Sequence, residues 1–337
     1  MMITIYDIAK RANVSAMTVS RVINNTGRIS DKTRMRVRKV MEELNYVPNA
    51  MARGLVLQKT NILSLLVTDI TNPFYTTVAR GAEDAARAHS YKLLLGNSDE
   101  NIDKEKEYID TILSTRVDGV LLTPASDHSI RNLEALTRYG AHYVALDRDV
   151  PGIECDSVVG DSIGGARKLV DYLVSLGHRH IAHVGGSFDV STARERYQGF
   201  KEAMEANGLP YHEELVLQTG YRLQDMESAT DWLLSLSPVP TAVLAGNNVT
   251  AIGLLQSFQR RSIDVPGHIS IVTFDDFGYR DLVDPLFTTA AQPAYQFGEL
   301  GIQMLIERIE GRADSVPRRI VLPNELRIGR STSAPSQ

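Results

Sequence analysis

From Ile62 to about residue 275 one pattern repeats: a short apolar run, then a longer stretch with helical spacing. The apolar runs are ILSLLVTDI, YKLLLGNS, DGVLLTPA, HYVALDRD, DSVVGD, HIAHVGG, ELVLQTG, TAVLAGN and HISIVTFDD. Helices are expected from Pro73 to about Ser90 and near 103–115, 128–139, 162–176, 192–207, 223–236 and 249–261. Unbroken apolar runs are what parallel strands buried on both faces need. Strand–helix repetition over about 230 residues implies doubly wound parallel sheets. So many strands strain a single sheet, and two subdomains are expected, split near Gly160. A helix at 293–310 and a strand at 318–322 follow an already complete second set. The chain is therefore expected to cross back near Gln292-Pro293.

The first sixty residues break that pattern. Thr4 can N-cap a short helix, and Asp7 favours its first turn. Ile5, Ile8 and Ala9 form its apolar face, and Asn13 ends it in a left-handed turn. Ser15 is the next N-cap, with Val19, Val22 and Ile23 as the second apolar stripe. Two short helices joined by a tight turn make a helix-turn-helix. Ala16, Met17, Ser20 and Arg21 face outward on the second helix, which is slim enough at its start for a major groove. Ser30 caps a third helix, about 31–44, with Thr33, Val37, Val40, Met41 and Leu44 on one side and Arg34, Arg38 and Lys39 mostly elsewhere. Pro48 ends it, and AMARGL after Asn49 is too short to be helical alone.

Charge divides the chain the same way. Residues 1–60 carry 11 Lys and Arg against 4 Asp and Glu, a balance of +7. The remainder carries 25 against 37, a balance of −12, so the overall −5 conceals a basic head on an acidic body. Such a head seeks phosphate while the body repels it. Hydrophobic content of 43% and charged content of 23% are ordinary for a globular protein. The single cysteine, Cys155, allows no internal disulfide and fits a reducing cytosol. No apolar run reaches about 18 residues, the length of a membrane span, and the N-terminus is not patterned as a signal peptide.

TIYDIAKRANVSAMTVSRVIN closely resembles the opening signature of the lactose- and galactose-repressor family, T-I-x-D-I-A-x-x-A-x-V-S-x-x-T-V-S-R-V-I-N. That resemblance implies an all-α helix-turn-helix head on an α/β core like the periplasmic sugar-binding proteins, built from two doubly wound parallel-sheet subdomains. The division it implies is a head at 1–46, a hinge helix or linker at 47–60, a first subdomain of 61–160 plus 292–322, a second of 161–291 plus 323–330, and a disordered tail at 331–337. In the family the hinge helix folds on operator and wedges a leucine into the minor groove, which matches Leu55 here. Val56 and Leu57 are more apolar than the family usually shows. Thr4, Tyr6, Ser15, Thr18, Asn24 and Thr33 match family phosphate-contact positions. Ala16, Met17 and Arg21 are expected to read bases, Arg21 by pairing with guanine. Ile5, Ser20, Asn49 and Arg53 complete the expected DNA-binding set.

Folds of this kind bind ligand at the carboxyl ends of their strands, between lobes. The residues so placed are Asn72, Phe74 and Tyr75 after the first strand and Asp147 and Arg148 after the fourth. Arg196, Tyr221, Asn247, Asn248 and Asp275 follow in the second lobe, and Gln292 lies on the crossover. Aromatic faces with Asp, Asn, Arg and Gln suit a sugar-sized polyol. In the family, positions matching Phe74, Tyr75, Arg196, Tyr221 and Asp275 touch the effector. An acid often stands where this chain has Asn248. With Arg148 and Arg196 present, a sugar acid or sugar phosphate is expected alongside a neutral sugar.

Other signals carry less. Gly160-Asp161-Ser162-Ile163-Gly164 fits the G-x-S-x-G nucleophile elbow between strand and helix. No glycine-rich oxyanion segment precedes it, and in the resembling family this place starts the second lobe, with Asp161 or Ser162 as a helix cap. His178, His180 and His183 crowd together, but His180 and His183 on one strand face opposite ways, so no metal is expected. No phosphate-binding glycine loop occurs, Cys155 lacks a paired base, and no cofactor is expected. The expectation is a cytoplasmic, non-enzymatic regulator, a homodimer on a pseudo-palindromic operator, controlled by a small sugar, sugar acid or sugar phosphate and independent of membranes. A phosphoprotein corepressor, a transport-type sugar receptor and a hydrolase are the alternatives.

Overall fold

The computed structural model describes residues 3–47, 59–220, 225–275 and 285–336. Contacts divide the chain into a unit of residues 1–60 and a unit of residues 61–337. Among the described residues the first holds three helices, α1 (Ile5–Ala12), α2 (Ala16–Asn24) and α3 (Asp31–Glu43). The Thr4 amide and hydroxyl both donate to Asp7 Oδ2, at 2.8 and 2.7 Å. Ser15 and Ser30 accept the amides of Thr18 and Thr33, at 3.1 and 3.3 Å. Asn13 and Asn25 end α1 and α2 at φ 49° and 54°, the left-handed region asparagine tolerates. Ile8, Ala9, Ala12, Val19, Val22, Val37 and Val40 close a small core. The sequence-based helix bounds agree within a residue or two.

The second unit alternates as its sequence pattern demands. Its elements are β1 (Ile62–Val67), α4 (Pro73–Ala88), β2 (Lys92–Asn97), α5 (Ile102–Thr115), β3 (Gly119–Leu122), α6 (Ile130–Arg138), β4 (Tyr143–Leu146) and β5 (Asp156–Gly160). There follow α7 (Ser162–Ser175), β6 (Ile181–Gly185), α8 (Ser191–Ala206), β7 (Val216–Gln218), α9 (Met226–Ser235), β8 (Ala242–Ala245), α10 (Asn248–Arg260) and β9 (Ser270–Phe274). The last are β10 (Thr288–Ala291), α11 (Ala294–Ile309), β11 (Arg319–Leu322) and β12 (Glu325–Arg327).

Two six-stranded sheets result, ordered β11-β5-β4-β3-β1-β2 and β12-β10-β9-β8-β6-β7. Every pairing is parallel except β10 with β12. In each, strand order reverses beside the first strand of the set, β1 or β6, the switch point where open α/β sheets leave a crevice. The chain passes between lobes after Gly160, at Gln292 and between Leu322 and Glu325.

Helices cover both faces of each sheet. Phe297, Ile302 and Leu305 of α11 and Val78 and Ala82 of α4 pack on Leu63, Leu65 and Leu121. Glycine lets these helices touch backbone to backbone: a Cβ on Gly81 would lie 2.1 Å from the Tyr295 carbonyl oxygen, and one on Gly298 2.0 Å from that of Val78. A deeper constraint sits at the crossover, where a Cβ on Gly160 would lie 1.8 Å from Gln292 Oε1.

The expected disordered tail is corrected. The Ser331 carbonyl accepts the Ile271 amide at 2.9 Å, its hydroxyl donates to the Ile271 carbonyl at 2.5 Å, and it accepts the Thr288 amide at 3.0 Å. The Ser333 carbonyl lies 2.9 Å from His178 Nε2. The small hydroxyl residues that suggest disorder by composition here satisfy backbone groups beside β9.

Gly298→Ala should lower the unfolding free energy of the core by about 1–3 kcal/mol, the usual cost of overpacking. Urea unfolding measures this, and wild-type stability in the variant would show that α4 and α11 can part freely.

Candidate nucleic-acid interface and effector cleft

On the head, the small three-helix core leaves a ring of outward side chains. Tyr6 and Met17 are 73% and 63% exposed, a large apolar surface for so small a unit to leave in water. Arg21 is exposed beside them in sequence, while Ala16, Thr18, Ser20, Asn24 and Thr33 are half-buried and Thr4 and Ser15 exposed. Ile5 is half-buried against the core, so its share of any surface is small. Asn24 Nδ2 donates to Ser20 Oγ at 3.3 Å, pinning both along one side of α2. Arg38 and Lys39 are exposed on α3, whereas Arg34 donates to the Asn25 side chain. Asn49, Arg53 and Leu55 lie outside the described residues.

In the core, a cleft of about 670 Å³ opens between the carboxyl ends of the strands, a size usual for small-molecule sites. Asn72, Phe74, Tyr75, Asp147, Arg148, Arg196, Asn247 and Asp275 line it, all anticipated from the strand-end rule. Asn72 caps α4 by accepting the Phe74 amide at 3.0 Å, so the helix start aims both aromatic residues inward. Their rings meet edge-on, with centroids 5.1 Å apart. Tyr75 Oη donates to Asp147 Oδ2 at 3.1 Å, and burial followed by the Asp147 charge pushes its phenol well above the ordinary range. Asp147 and Asp275, at the ends of β4 and β9, both take left-handed backbone, φ 64° and 66°. Such strain in non-glycine residues concentrates at functional sites.

Two anticipated residues stand behind the wall. Gln292 Nε2 donates to Asp275 Oδ1 at 2.7 Å, holding that carboxylate in place. Asn248 is fully buried and donates to Asn72 Oδ1 across the lobes at 3.0 Å. Tyr221 lies outside the described residues. A second inter-lobe tie joins Asp127 to Arg194 Nη1 at 2.5 Å.

Both anticipated arginines are held by neighbouring groups. Arg148 is clamped by Glu100, and Arg196 Nη1 donates to the Gly246 carbonyl at 2.6 Å while its guanidinium covers the Phe274 ring at 4.1 Å and lies 3.9 Å from Asp275. Among the described residues seven carboxylates, of Asp69, Asp99, Glu100, Asp147, Asp189, Asp225 and Asp275, line the cleft with these two guanidiniums. Four of the seven, at 69, 99, 100 and 189, follow β1, β2 and β6, where the strand-end rule would also have found them. Buried Glu105 carried no signal. It accepts the Ala125 amide at 2.7 Å, Ser129 Oγ at 3.0 Å and Asn132 Nδ2 at 2.7 Å, fixing the segment after β3. Its burial raises its pKa.

The elbow serine and two of the histidines, His178 and His183, are buried. Asp161 accepts the Gly164 amide at 2.8 Å and caps α7, and Ser162 is 1% exposed, out of reach of a substrate. His178 sits 2.8 Å from Thr241 Oγ1. The His183 ring lies 5.4 Å from that of Phe200, tilted at 43°, and neither ring nitrogen makes a hydrogen bond among the described residues. Burial, then the Arg196 charge, lowers its pKa to about 4. Burial pushes the Cys155 thiol up to about 12. Among the described residues no His, Cys, Asp and Glu cluster is spaced for a metal, and no helix is long and apolar enough to cross a membrane.

Residues 4–49 match the model for "Bacterial regulatory proteins, lacI family", and 170–332 that for a periplasmic binding protein-like domain. The chain is 38% identical over 336 residues to the transcriptional regulator DegA of Bacillus subtilis (strain 168), covering 98% of each. Its fold is similar to a lac repressor dimer bound to operator and the anti-inducer ONPF, with TM-score 0.82 and 25% identity over 99% of this chain and 100% of that one. It is also similar to a complex of the transcriptional regulator CelR with cellobiose, with TM-score 0.73 and 29% identity over 98% and 100%.

His183 makes a pH prediction. Its neutral folded form binds no proton between about pH 6.5 and 4, whereas the unfolded chain does. Its contribution is complete above about pH 6.5 and falls as pH drops toward 4, by about 3 kcal/mol. His183→Leu should flatten that part of the stability–pH curve. Parallel curves for both proteins would refute it.

Proposed function

Because this chain belongs to the lacI family of bacterial regulatory proteins and is a DNA-binding transcription regulator, we propose that it is a dimeric, cytoplasmic repressor of carbohydrate-utilisation genes. Its effector is a small neutral sugar held between the lobes of residues 61–160 plus 292–322 and 161–291 plus 323–330. The observation that carries this reading is the cleft at the strand ends. An aromatic floor, Phe74 and Tyr75, is ringed by carboxylates and amides that accept and donate to hydroxyl groups. The cellobiose in the similar CelR structure is a ligand of that chemistry.

Phosphate contacts from the basic head supply affinity, and a near-palindromic operator follows from a two-fold dimer. Ala16 and Met17 contact apolar base edges, and Arg21 pairs with guanine O6 and N7. The hinge, with Asn49, Arg53 and Leu55, carries the state of the core to the minor groove. Sugar acts by binding unequally to closed and open arrangements of the lobes, which the Asn72–Asn248 and Asp127–Arg194 ties join in the form seen here.

Selection of operators from random duplexes by the full-length protein tests this. A pseudo-palindrome should emerge, and Arg21→Ala should weaken it by about 1–3 kcal/mol and relax one position in each half-site. Binding that selects no sequence and is indifferent to salt would overturn the regulator reading.

A further inference from the structure

Resting on the reading of the cleft as an effector site, we propose that Glu100 is the residue that sets the charge class of the ligand, closing the cleft to anions by occupying Arg148. Arg148 Nη1 and Nη2 donate to Glu100 Oε2 and Oε1 at 2.6 and 2.7 Å, a bidentate pair. Nη1 also donates to the carbonyls of Pro124 and Ala125, at 3.2 and 2.9 Å. Nε lies 3.8 Å from Asp147 Oδ2 and makes no hydrogen bond. Arg148 is only 5% exposed, yet it is one of the two cations that line the cleft among the described residues.

The chain is bent to deliver this carboxylate. Asp99 and Glu100 are consecutive non-glycine residues in the left-handed region, φ 53° and 55°, a conformation that local bonds must hold. Asn97 Nδ2 donates to Asp99 Oδ1 at 2.6 Å, Lys104 pairs with its other oxygen, and the Glu100 amide donates to the Thr68 carbonyl at 3.2 Å. Two strained residues in succession, tied from three sides, place Glu100 against Arg148. A guanidinium so neutralised contributes no net attraction for a carboxylate or phosphate. Hydroxyls of an uncharged polyol still find acceptors in the same carboxylates.

Isothermal titration of the full-length protein and its Glu100→Gln variant against glucose, ribose, glucuronate, glucose 6-phosphate and inorganic phosphate tests this. Wild type should ignore the three anions. The variant should bind at least one of them at least about tenfold more tightly, equivalent to about 1.4 kcal/mol. The added change Arg148→Met should abolish the gain. Glu100→Asn, which also removes the carboxylate from Arg148 and tolerates left-handed backbone, is the parallel variant should Glu100→Gln fail to fold. Anion binding by wild type, or no gain in the folded variants, overturns the proposal. A gain in a protein that takes neither neutral sugar upholds the role of Glu100 while counting against a glucose- or ribose-type effector.

Discussion

Parallel pairing is the constraint from which the core follows. A parallel strand cannot return by a tight turn, so each must be joined to the next by a crossover helix, and all their carboxyl ends gather at one edge. In both sheets those ends face the cleft, and residues just beyond eight strands, from Asp69 to Asp275, reach its wall. The cleft is therefore a consequence of topology before it is a consequence of side-chain choice. The largely apolar strands, such as Leu63–Val67 and Ile181–Gly185, are buried on both faces because helices must lie on both.

Within that frame the polar groups act in layers. Glu105 fixes the segment after β3, whose carbonyls receive Arg148. Glu100 and Asp147 set the charge around Arg148, and Gln292, reaching past Gly160, steadies Asp275 from the crossover. Only the innermost of these groups line the cleft. The outer ones decide what charge and geometry the inner ones present. The crossover at Gln292 connects the lobes and holds Asp275 at the wall.

The head works on a different principle. Its core is too small to hide every apolar residue, and Tyr6 and Met17 stay in water. Serine caps at the starts of α2 and α3 and asparagines at the ends of α1 and α2 define short helices without much burial. What remains outside is a basic surface with a few apolar points, the chemistry of a groove-reading element.

Much of this was legible without coordinates. Helix starts at Ser15, Ser30 and Asn72, the strand positions and the cleft residues from Asn72 to Asp275 follow from local rules: capping acts over three residues, periodicity over four. The wall acids at Asp99 and Glu100 were equally within reach, had the strand-end rule been applied after β2. By itself the sequence determined which segments are strands, which are helices and where polar residues meet strand ends. Tertiary structure alone decided that Arg148 is neutralised by a residue 48 positions away, that Asn248 and Gln292 stand behind the wall, and that the serine-rich tail is bound beside β9. Pairing across such distances depends on which strand ends come to share one edge, and no short-range pattern of residue types encodes that.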